Sequence, residues 1–60
     1  MMSFSDALNK ARKEYAMAVY LSETTTNAGL RKIYDNRADM LSKLIYAAEI
    51  FKDLYIEEKN

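Results

Sequence analysis

The chain has no cysteine, no histidine, no tryptophan and no proline, and a single glycine, Gly29. Without cysteine or histidine there is neither a disulfide framework nor the ligand set of a zinc site, and a histidine base for Ser3, Ser5, Ser22 or Ser42 is excluded. The lone glycine also leaves no glycine-rich cradle for a phosphate. Charge of one sign is missing too: nine Lys plus Arg face nine Asp plus Glu, a formal net charge of zero. That balance argues against a strongly electrostatic binder of nucleic acid or anionic membranes. The longest unbroken apolar run, Tyr15 to Leu21, is far short of the roughly 20 residues that span a bilayer. The amino-terminal stretch mixes Ser, Asp, Asn and Lys, with no apolar segment of a secretion signal. A cytoplasmic protein with no membrane partner, no metal and no cofactor is expected.

Sixty residues make one module, and a marginal one. A compact monomer of this mass would expose about 4,000 Å², and apolar burial would then offset chain entropy almost evenly, at about 90 kcal/mol each. An elongated shape buries less, so a second copy or a target protein is expected to complete the core.

What is present is helix-forming: Ala, Leu, Lys, Glu, Met and Arg dominate, and the only turn-like stretch is SETTTNAG at 22–29. The expected fold is all-α, an antiparallel two-helix hairpin spanning residues 1–60. Its first helix covers about 3–23, its turn about 24–27 and its longer second helix about 28–59, and homodimerisation would complete a four-helix bundle. Ser3 is placed to cap the first helix by accepting from the backbone N–H of Asp6, with Ser5 as a competitor.

Within the first helix Phe4, Leu8, Ala11, Tyr15 and Ala18 alternate at spacings of four and three, which puts them on one inward stripe. Lys10, Lys13 and Glu14 fall on the outer arc. In the second helix Leu30, Ile33, Arg37, Met40, Leu44, Ala47, Phe51 and Leu54 form the equivalent stripe, interrupted only by Arg37. A flanking column, Tyr34, Leu41, Ala48 and Tyr55, makes the apolar face too broad for a two-stranded seam. Ile45, Tyr46 and Ile56 lie outside even that face.

The second helix is predicted to outrun the first. Phe4 would reach Ala48, leaving Phe51, Leu54, Tyr55 and Ile56 as an overhang for self-association. Tyr20, Ile45 and Tyr46, away from the seam, are the candidate partner-binding residues. Arg37 either snorkels to the bundle edge or pairs with an inward acid and fixes register; in a homodimer that brings it near its own symmetry mate, Asp39 or Asp35 would have to lie close. The acids spaced one turn apart, Asp35 with Asp39 and Glu49 with Asp53 and Glu57, read as solvated faces rather than a metal or acid–base site.

The alternative to a protein partner is nucleic acid, held by Lys10, Arg12 and Lys13 on the first helix and Arg31, Lys32 and Arg37 on the second. Residues 1–48 carry seven basic and five acidic groups and residues 49–60 two and four. A surplus of two is small for phosphate binding. In architecture the chain resembles the small helical hairpins that dimerise into four-helix bundles; the likeness is one of shape and carries no binding residue across. The function expected is a non-enzymatic interaction module that self-associates and binds another macromolecule as a regulator, an inhibitor or an assembly factor.

Overall fold

The computed structural model describes residues 3–55, Tyr55 by its backbone alone. Two helices, α1 (Phe4–Thr24) and α2 (Ala28–Tyr55), pack against each other as a hairpin. At 1.5 Å per residue they are about 32 and 42 Å long, inside an envelope of 48 × 20 × 15 Å. The predicted end of the second helix beyond Tyr55, with Ile56, lies outside the described residues. No helix among them is long and apolar enough to cross a membrane.

Short side chains define the helix ends. Ser3 is extended (φ −74°, ψ 166°) and its hydroxyl accepts from the Asp6 backbone N–H at 3.1 Å, satisfying one of the orphan donors of the first turn. Ser5 lies inside α1. At the far end Thr25 turns extended (φ −73°, ψ 141°) while its N–H still donates to the Leu21 carbonyl. Asn27 opens α2: its Oδ1 accepts from the Leu30 N–H at 3.0 Å and its carbonyl from the Arg31 N–H at 2.9 Å. The Arg31 guanidinium reaches back to the Thr25 carbonyl at 3.0 Å. The chain reverses with no positive φ among the described residues. Gly29 sits in the first turn of α2, inside the expected bounds of the second helix.

The stripe predicted for α1 is the one that packs. Leu8 and Ala18 are buried, at 6% and 2% exposure, Ala11 is half-buried and Tyr15 lies at the edge of the seam. The small Ala11 and Ala18 let the helix axes come close. Glu14 departs from its predicted outer position and is half-buried beside the seam.

In α2 the seam is displaced by one residue throughout. Tyr34, Ala38, Leu41, Ile45, Ala48 and Lys52 are half-buried, with the polar Ser42 and Glu49 beside them, whereas Leu30, Ile33, Met40, Leu44, Phe51 and Leu54 remain exposed. One residue is about 100° of helix rotation. The flanking column therefore supplies the hairpin contact and the stronger apolar stripe is turned to one side. Ile45, which the sequence places outside the apolar face, is drawn into the seam by the same rotation.

The overhang is also shorter than expected. The ring of Phe4 packs on that of Phe51, with centroids 5.9 Å apart and planes tilted by 37°. Helical side chains lean towards their own amino terminus, so in an antiparallel pair Phe4 leans away from the turn and Phe51 towards it. They meet beyond the level at which backbone length alone would stop.

Candidate functional site

Rotating α2 gives the hairpin two unlike broad faces. On one, Ser22 donates from Oγ to Asp35 Oδ1, and Arg12 Nη2 pairs with Glu49 Oε1 at 2.7 Å. Ser22 is the buried polar residue of the seam, and a buried hydroxyl needs such an acceptor. These contacts join residues on opposite helices and make this face polar.

The opposite face is apolar. Phe4, Ala7, Leu8 and Ala11 of α1 line a groove of about 190 Å³ with Leu44, Ile45 and Ala48 of α2. Nearer the turn a second groove, of about 210 Å³, is lined by Met17, Ala18, Leu21 and Tyr34 together with the charged Glu14 and Arg37. Of the displaced α2 stripe, Leu44 lines the first groove and Arg37 the second, and Met40 and Leu44 are 64% and 58% exposed. The total surface is 4969 Å², against about 4,000 Å² for a compact chain of this mass.

One ion pair interrupts that face. Arg37 Nη2 meets Glu14 Oε2 at 3.4 Å, with both side chains about half exposed. Arg37 shows both behaviours expected of it: its side chain stays 57% exposed at the hairpin edge and pairs with an acid across the hairpin. Its acid is Glu14, because Asp35 accepts from Ser22 and Asp39 pairs with Lys43 at 3.0 Å along α2. Sequence spacing within α2 could not identify Glu14, which lies 23 residues away on the other helix.

The proposed self-association residues begin at the grooved end. Phe51 is half exposed and bears on Phe4, and Leu54 is exposed. Tyr55 belongs to α2 and its side chain, like Ile56, lies outside the described residues. The three partner-binding candidates are not brought together. Ile45 lines the apolar groove. Tyr20 and Tyr46 are exposed at 62% and 70%, on different helices and about 20 Å apart along the axis by helix rise.

The six basic candidates are likewise dispersed. Arg12 and Arg37 are ion-paired on opposite faces, and Arg31 is engaged at the turn. Helical angle places Lys13 and Lys32 on the outer edges of the two different helices and Lys10 at the rim of the apolar face. Lys10, Lys13 and Lys32 make no ion pair among the described residues.

Compared with protein-family models, curated proteins and solved structures, the chain has no match.

Proposed function

We propose that this chain is a small non-enzymatic interaction module: a hairpin that associates with a second copy to complete a four-helix bundle and acts by occupying a surface of another macromolecule in the cytoplasm, as a regulator, inhibitor or assembly factor. The observation that carries the reading is the apolar face of α2. Leu30, Ile33, Met40, Leu44 and Leu54 stay exposed on a hairpin whose buried apolar residues are Leu8 and Ala18 alone among those described. A run of large apolar side chains at helical spacing is characteristic of an interface rather than of scattered surface residues. With that face covered by a second copy, Tyr20 and Tyr46 are the aromatic residues left for a different partner, and tyrosine is enriched at such contacts.

Light scattering of the Phe51→Asp/Leu54→Asp variant tests the self-association. The expected result is a lower mass than wild type with most of the helix retained; an unchanged mass refutes a role for this end of the face. For the second partner, immobilised wild-type chain should retain a protein that a Tyr20→Ala/Tyr46→Ala variant of equal helix content releases. Equal retention by both would remove the two tyrosines from the binding surface.

A further inference from the structure

The ion pair on the apolar face assigns more than association. Building on the self-association proposed above, we propose that two copies join through this face with their turns at the same end, and that Glu14 of each lies opposite Arg37 of the other.

The occupant follows from charge and exposed apolar surface. In a two-fold interface each residue meets the partner of its own neighbour, so a face that presents one anion beside one cation at the same level is complementary to itself. A wholly apolar partner would instead desolvate Glu14 and Arg37 with nothing added to compensate them. The face offers Leu30, Ile33, Met40 and Leu44, each at least 42% exposed, as apolar surface for a second copy to cover.

The orientation follows from levels along the hairpin. Glu14 lies ten residues before the end of α1 at Thr24, about 15 Å from the turn, and Phe4 lies about 30 Å from it. With both turns at one end, the Glu14 and Arg37 layers coincide and so do the layers of Phe4 and Phe51. With turns at opposite ends, a two-fold that brings the charge layers level sets Glu14 against Glu14 and Arg37 against Arg37. Only the first arrangement faces unlike charges across the interface while the partner covers the apolar groove between Phe4 and Leu44.

Charge reversal tests this. Glu14→Arg alone and Arg37→Glu alone should each self-associate at least about tenfold more weakly than wild type, because like charges then face each other twice per dimer. Mixed in equal amounts they should pair, and the Glu14→Arg/Arg37→Glu chain should dimerise as wild type does. Single variants that dimerise like wild type, or a mixture that fails to assemble while the double variant does, would overturn the assignment. Since the chain has no cysteine, a spin label on Thr26→Cys reports orientation: under about 20 Å between labels is expected, and about 30 Å would mean turns at opposite ends. Wild-type protein that remains monomeric throughout overturns the underlying self-association itself, a result distinguishable from failure of the register alone.

Discussion

Replacing Leu44 by alanine should have a cost that depends on protein concentration. The change removes three methylene equivalents, about 2.4 kcal/mol for a fully buried leucine at ~0.8 kcal/mol each. Leu44 is 58% exposed in the hairpin, so in an isolated chain the loss scales to about 1 kcal/mol. When a second copy covers the face, the loss rises towards about 2.4 kcal/mol per chain. Leu8 is the internal reference. It is 6% exposed in the hairpin alone, so Leu8→Ala loses about 2.3 kcal/mol of burial before any second copy arrives. Urea unfolding followed by circular dichroism, at about 2 and 200 µM, separates the two. The loss for Leu44→Ala should roughly double between these concentrations, whereas the burial part of the loss for Leu8→Ala, 6% exposed already, should rise by only about 0.1 kcal/mol. An equal loss for Leu44→Ala at both, near 1 kcal/mol, would refute coverage of this stripe.

Three further substitutions probe the hairpin itself. Asn27→Ala removes the acceptor for the Leu30 N–H and should cost about 1 kcal/mol in urea unfolding; a change under about 0.3 kcal/mol would mean that water replaces the cap without loss. Ser22→Ala deletes the hydroxyl that donates to Asp35. About 1 kcal/mol should be lost, and Asp35→Asn, which keeps an acceptor, should lose less. A double-mutant cycle on Arg12 and Glu49, half exposed and 2.7 Å apart, should give a coupling of about 0.2 to 1 kcal/mol that shrinks in 1 M salt. A coupling that survives the salt would show that the pair is shielded from solvent.

The local features of this fold are legible in the sequence. Ser3 caps α1 through the Asp6 N–H as its spacing predicts, and Phe4, Leu8, Ala11 and Ala18 lie along the hairpin contact because α1 has one apolar stripe. The register of α2 is not legible for a physical reason. Its apolar arc spans two adjacent columns, and periodicity favours the one richer in large residues. The column that packs carries Ala38, Leu41, Ile45 and Ala48, and it is flanked by contacts between residues far apart in sequence. Ser22 with Asp35 and Arg12 with Glu49 lie 13 and 37 residues apart, distances over which no single-helix pattern carries information. The same holds for the candidate site. The exposed stripe was identifiable as apolar, but its assignment as the uncovered face and the placement of Glu14 beside Arg37 both required the two helices together.

Those two helices bury little between them, and the proposed assembly would cover the remaining face. Sedimentation equilibrium from about 1 to 200 µM, with circular dichroism on the same samples, tests this most directly. The mass is expected to rise from the 7.0 kDa of one chain to twice that value, with helix content rising in step. A fully helical chain that stays at 7.0 kDa throughout would contradict the account.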